Sequence, residues 1–373
     1  MIQGILKHII MRPRHFLLAV LSALVMMAAV PAPLSASRRS EIGPYPAMVK
    51  EFGYKDFDFI KIMPLNKALS GRGAFVRGVY DIHIVKSDQY KVVMRVWDRD
   101  DIELFDIRKE GNVLELLSAV RKYPYHTRNV ATPRAEVTIY TPTFSGGDFN
   151  RCEDVSVSGE FSGKSLSVSI SYAAKLKGLS GSWDNAVLDI SNGASMDDVA
   201  LNVGDIKVAT KGAGIIGGKS TLRSDSMTAD MSGGSEIALL SMSVRALNVN
   251  MAGAAVLSSK DVVNMEELKT IMSGGSSLRL DGNISAVTAS LSGAASLSLR
   301  GAGTSLNMQG AGGSSLKAKE FSVKEASIVL TGASSAVLNV TGKLTTNVSG
   351  ASSVDYYGKP KSIINKSSNV REH

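Results

Sequence analysis

From Cys152 to Val354 apolar and polar residues alternate with a period of two, and the alternation is interrupted at nearly constant intervals by a short phrase of small residues. After Gly274, Leu278 and Leu280 flank Arg279, Asp281-Gly282-Asn283 reads as a tight turn, and Val287, Ala289 and Leu291 alternate with Thr288 and Ser290. A period of two marks half-buried strands and not helices, so each interval predicts two short strands. The interrupting phrase is Ser232-Gly233-Gly234-Ser235, then Ala252-Gly253-Ala254-Ala255, Ser273-Gly274-Gly275-Ser276 and Ser292-Gly293-Ala294-Ala295, and it continues to Ser349-Gly350-Ala351-Ser352. From Gly233 the glycine spacings are 20, 21, 19, 19, 20 and 18. Backward, Gly212 and Gly193 keep the period, with Tyr172 and Cys152 standing where the glycine belongs.

A repeat of this length whose unit cannot bury its own apolar face implies a stack. Adding the next turn about 4.8 Å away continues the hydrogen-bond ladder and encloses Leu, Val, Ile and Ala. The fold class expected is all-β, a parallel β-helix of about 20 residues per turn. The small phrases are corners, because a column of sharp bends leaves no room for branched side chains.

Residues 37–150 have another texture. Fifteen aromatic residues from Tyr45 to Phe149 lie there, whereas none occurs from Asp184 to Glu320. Strand-like runs at Phe57–Met63, Val79–Val85, Tyr90–Val96, Val113–Leu117 and Ala135–Tyr140 are separated by Gly78, Ser87-Asp88, Gly111-Asn112 and Pro142. This region is expected to be a β-rich N-terminal cap that covers one end of the stack. The repeats then occupy 151–361 and a C-terminal tail 362–373. Tyr356-Tyr357 followed by Pro360 are expected to end the ladder at the other side.

Ahead of the cap, Lys7, Arg12 and Arg14 precede an apolar run from Phe16 to Val30 and the small-residue end Leu34-Ser35-Ala36. That succession is a signal peptide over 1–36, with Met1 or Met11 as the start and cleavage after Ala36. An apolar run of this length spans about 22 Å as a helix, less than a hydrocarbon core of about 30 Å, so the mature chain is expected to have no transmembrane segment. The expected address is export, to the periplasm, the outer surface or the extracellular space.

Charge changes this picture little. The chain has 42 Lys+Arg against 34 Asp+Glu, a formal +8, and loses three basic residues with 1–36. The densest basic cluster, Arg121 to Arg128, reads as a solvated loop, and nucleic acid is excluded as a partner by export and by the scatter of the remaining charge. A single cysteine rules out a disulfide scaffold, and Cys152 is expected to be a buried small hydrophobe.

The opening Phe57-Asp58-Phe59-Ile60-Lys61-Ile62, the phrase Gly78-Val79-Tyr80-Asp81-Ile82-His83, the Ser-Gly-Ala-Ser repeats and the ending Asp355-Tyr356-Tyr357-Gly358-Lys359-Pro360 are similar to the putative auto-transporter adhesin head GIN domain family. The resemblance runs from about Phe57 to Lys361. It implies a right-handed β-helical domain of bacterial cell envelopes, adhesin-like and without transferable catalytic residues.

The residues themselves point to no enzyme. Of five histidines, His8 and His15 leave with the signal, His373 is terminal, His83 lies on a predicted strand, and His126 is the loop candidate. The carboxylate candidates are Asp197-Asp198, Asp225 with Asp230, and Glu266-Glu267; neighbours on a strand point to opposite faces, so the adjacent pairs form no two-carboxylate site. Ser195 and the other repeat serines lack a neighbouring base. Gly212-Ala213-Gly214-Ile215-Ile216-Gly217 spells a dinucleotide fingerprint but sits in a β-repeat. No catalytic, cofactor or metal site is expected. The leading expectation is a non-enzymatic, exported, adhesin-like protein that binds an envelope or host-surface glycan or protein along an extended face. A periplasmic scaffold and a polysaccharide-acting β-helix enzyme are the alternatives, and the oligomeric state stays open.

Overall fold

In the computed structural model, Ser277–Leu291 is one strand that runs parallel, residue for residue, with Ser296–Gly310. The same relation links each turn to the next, giving a β-solenoid of about 11 turns with ~20 residues per turn. The structure describes residues 47–64, 79–97, 99–119, 134–150, 152–364 and 369–373, all within the unit Gly43–His373. The signal peptide and the Arg121–Arg128 cluster lie outside the described residues.

The alternation read from the sequence sets the core. In the strand Ser277–Leu291, Leu278, Leu280, Ile284, Val287, Ala289 and Leu291 are buried, whereas Arg279, Thr288 and Ser290 are exposed. Equivalent positions of every turn join one continuous hydrophobic cluster from Phe57 to Val370.

Asp281-Gly282-Asn283 forms no tight turn. All three residues pair in register with Arg300, Gly301 and Ala302, inside an unbroken strand. The bend falls instead at the position that drops out of the pairing, Asp184 between Trp183 and Asn185 in one turn and Ser285 between Ile284 and Ala286 in another. There the in-out alternation slips, so two successive side chains face outward.

The glycine corners sit where the spacing placed them from Gly212 onward, all with positive φ. Two assignments change in the early turns. Gly212 stacks on Asn192, whose φ is 55°, and not on Gly193; Tyr172, with a φ of 60°, does stand in the glycine place. Cys152 does not, because it pairs one position later and has no positive φ.

At the N-terminal side the ladder continues in an order different from that of the chain. Phe59–Pro64 runs parallel to both Val113–Ser118 and Gly146–Asp148. Tyr80–Lys86 lies between Ala135–Thr141 and Asp154–Ser158, parallel to both. Antiparallel strands then fold over the open edges: Lys91–Val96 joins Ala135–Thr141 to Met48–Phe52, and Phe105–Glu110 covers Val113–Ser118. Covering an edge in this way blunts its capacity to pair with other chains. Large rings fill the interior here: Tyr80 is fully buried, donates to the Leu117 carbonyl at 2.6 Å and meets Phe105 edge-on at 5.4 Å.

The opposite side also departs from expectation. Tyr356 is buried and its hydroxyl donates to Glu372 Oε2 at 2.9 Å, but neither it nor Pro360 ends the ladder. Ser362–Ile364 and Val370–Glu372 each add a further parallel strand. Among the described residues no helix is long and apolar enough to cross a membrane.

Candidate functional site

The slipped alternation at the bend builds an open concave feature on the described surface. Ser162, Ser182, Asn202, Arg223 and Ser243 stack in register on one side of it. Asp184, Asp225, Arg245, Glu266 and Ser285 stand on the other, and Asn264 and Asn283 extend it. The result is an open groove of ≈ 1240 Å³ that follows the stacking direction over seven rungs. At about 4.8 Å per rung that is a length of ~29 Å.

The groove is polar and nearly neutral. Three carboxylates, Asp184, Asp225 and Glu266, face two guanidinium groups, Arg223 and Arg245, and one of each is engaged in the Arg245–Glu266 ion pair at 3.5 Å. Asn283 Nδ2 donates to Asn264 Oδ1 at 3.0 Å, so the amides hold one another in a ladder. Ser224 Oγ lies 2.8 Å from the Gly204 carbonyl and 2.6 Å from that of Ser226, which fixes the floor. The aromatic residue of the lining, Trp183, is buried and directs its indole N–H to the Phe144 carbonyl at 3.3 Å. No ring face is therefore offered for stacking. Such a wall presents many hydrogen-bonding groups and little net charge.

The candidate residues fall as follows. Asp225 and Glu266 enter the groove, while Asp230 lies on the next face and accepts from Asn250 Nδ2 at 2.8 Å. Glu266 and Glu267 do not point to opposite faces. Both project outward because the strand bends between them, and Glu267 is tied to Lys269 at 2.8 Å. Asp198, with a φ of 55°, accepts from the Lys219 amide at 2.8 Å, and Asp197 accepts from the Ser195 hydroxyl at 3.0 Å. These are structural contacts. Gly212 is a corner and Ile215–Gly217 a strand, so the fingerprint spelling has no helix behind it. His126 lies outside the described residues.

Cys152 is buried, and its thiol lies 3.2 Å from the Phe149 carbonyl. Burial, reinforced by Asp154, pushes the thiol far above its ordinary range, which keeps it inert.

One grouping was missed by the sequence reading. His83 projects from its strand between Glu136 on one neighbour and Ser156 on the other, with Nε2 3.2 Å from Glu136 Oε1 and Nδ1 2.7 Å from Ser156 Oγ. A serine of the first turns thus has a base beside it. The three residues come from strands distant in sequence, and no local motif announces them.

The model of the family described as "Putative auto-transporter adhesin, head GIN domain" matches residues 75–253 and 242–360. Solved structures to which the chain is similar include a putative adhesin from Bacteroides fragilis NCTC 9343, 12% identical, covering 87% of this chain and 93% of that one with a TM-score of 0.24. A putative adhesin from Parabacteroides distasonis ATCC 8503 is 17% identical, covering 89% and 98% with a TM-score of 0.26. A putative lipid binding protein from the same organism is 12% identical, covering 89% and 98% with a TM-score of 0.21. No curated protein matches the chain.

Proposed function

The chain belongs to the putative auto-transporter adhesin, head GIN domain family, and from that premise we propose that it is an exported adhesin-like protein whose groove holds an envelope or host-surface glycan without cleaving it. The observation that carries this reading is the groove's unbroken wall of hydroxyls, amides and balanced charges over seven rungs. A hydroxyl-rich chain can exchange its water for such a wall at many points, each contributing modestly, and a repeat of about 4.8 Å offers a new set of partners at every step. The groove holds no histidine and no buried carboxylate pair, so it is suited to holding a polymer and not to cleaving it. In this reading 1–36 directs export and is removed, 37–150 covers one end of the stack, 151–361 carries the groove, and 362–373 adds two short strands at the other end.

The test is binding of the mature protein to isolated envelope and host-surface polysaccharides by calorimetry. Replacing Asn202, Asn264 and Asn283 together by alanine should weaken binding at least about tenfold, on the order of 1.4 kcal/mol, with unchanged circular dichroism. Thr288→Ala with Ser290→Ala, on the neighbouring flat face, should change nothing. If the flat-face pair abolishes binding and the groove triple does not, the groove is the wrong site.

A further inference from the structure

We propose that Ser156 is an activated nucleophile toward small, exposed carboxylic esters, with His83 as its base and Glu136 holding the base in place. The site is separate from the groove and goes beyond the binding role proposed for it.

Four strands meet here side by side in the order Ala135–Thr141, Tyr80–Lys86, Asp154–Ser158 and Lys175–Lys177, all parallel. One outward row across them reads Thr138, His83, Ser156, Lys177, each paired in register with the next. Glu136, two residues before Thr138, is on the same face. Its carboxylate lies 3.2 Å from Nε2 and settles the tautomer: Nε2–H donates to Glu136, which leaves the Nδ1 lone pair to accept from Ser156 Oγ–H at 2.7 Å. A hydroxyl on a base that a third group orients is the arrangement nucleophilic catalysis requires.

Elsewhere in the repeats serine hydroxyls pair with carbonyls, other serines or carboxylates, as Ser292, Ser335 and Ser195 do. Among the described residues, Ser156 is the serine paired with an imidazole. The Glu136 side chain is only 15% exposed, so the carboxylate that holds the ring is itself held by its surroundings. Lys177, paired in register with Ser156 on the next rung, adds a positive charge to the same outward row.

The step balances as an acyl transfer. Ser156 Oγ bonds to the ester carbon while its proton passes to His83 Nδ1, and the carbonyl electron pair moves onto the carbonyl oxygen. Collapse breaks the ester C–O bond, and the departing alkoxide takes the proton from His83 to leave as an alcohol. Water, deprotonated by His83 in turn, then releases the acyl group as a carboxylic acid and restores Ser156. The three residues sit on an outward β-face, so the substrate class is small acyl groups that approach from outside.

The experiment treats the mature protein with a fluorophosphonate probe, maps the adduct by peptide mass spectrometry and follows p-nitrophenyl acetate hydrolysis in parallel. An adduct on Ser156 is expected, absent in Ser156→Ala and formed about 10²-fold more slowly in His83→Gln, with a smaller loss in Glu136→Gln. His83→Asn is a second base-deleting variant should His83→Gln lose its circular dichroism signature. Absence of an adduct on Ser156, or an equal rate in a folded His83 variant, overturns the proposal. Glycan binding by the groove is measured separately and is untouched by either result.

Discussion

At the scale of single residues, the corner column is governed by what lies directly beneath each position. A Cβ on Gly293 would stand 3.0 Å from the Gly274 carbonyl oxygen, and one on Gly233 would stand 2.7 Å from that of Gly212. On Gly212 it would meet nothing nearer than the Asn192 amide nitrogen at 3.5 Å. All three backbones are left-handed, so φ alone does not separate them. Gly293→Val should therefore cost about 3 kcal/mol or more, combining a strained φ with a backbone clash, whereas Gly212→Asn should cost about 1 kcal/mol or less. Urea melts of the two variants check the contrast; equal costs would show that the stacked backbone is not what demands glycine. The sequence showed the column but not its looser beginning, because Asn192 and Tyr172 accept a left-handed φ without being glycine. A second residue-scale prediction concerns Asp81, whose carboxyl is raised by burial, opposed by Arg134 and reinforced by Asp154 and Glu153. Below the unfolded pKa of about 3.9 both states are protonated and nothing is lost, and stability falls as pH rises from there through the higher folded value. Asp81→Asn should thus raise the melting midpoint at pH 7 and leave it unchanged at pH 3. A gain of equal size at both pH values would place the effect elsewhere.

At the scale of the strand, burial and exposure alternate along Ser277–Leu291, and that contrast fixes what substitutions do. Leu278→Ala removes a fully buried side chain between Leu257 and Leu297 on the adjoining rungs and should cost about 2–5 kcal/mol. Arg279→Ala, one residue on, should change stability by about 0.5 kcal/mol or less. Chemical denaturation of both variants tests the register directly, since a slip of one residue would invert the two results. The strands of the repeats were legible because a period of two with small-residue punctuation has no helical counterpart. The bend at Asp184 and Ser285 was not, because Asp281-Gly282-Asn283 carries stronger turn chemistry than the place where the chain bends. The groove was lost with it: Glu266 and Glu267 can share a surface only where the alternation slips.

At the scale of the whole molecule, connection order decides what sequence reading can reach. In the repeats each turn rests on the one before it, so periodicity alone yields the architecture. Near the N-terminal side Tyr80–Lys86 lies between two strands that both follow it in the chain, and this placement brings Glu136 and Ser156 to His83. No spacing rule encodes such an insertion. The regular part should behave as a one-dimensional stack whose stability is a sum over turns and their interfaces. Deleting Gly274–Ser292, the 19 residues between one corner glycine and the next, would seat Gly293 on Gly253 and bring Val263–Met272 against the rung that begins at Gly301. Every inward position stays inward, so the shortened chain should fold, with strand circular dichroism retained and its long dimension in small-angle scattering reduced by about 4.8 Å. Deleting only residues 274–283 removes the corner and sets Ile284 in its place, which should prevent folding although fewer residues are lost. A shortened protein that folds equally well from both deletions would mean that the turns are not the units of the fold. Failure of the full-turn deletion alone would mean that the turns are not interchangeable, and that the bulged registers beyond Ser298 need their particular neighbours.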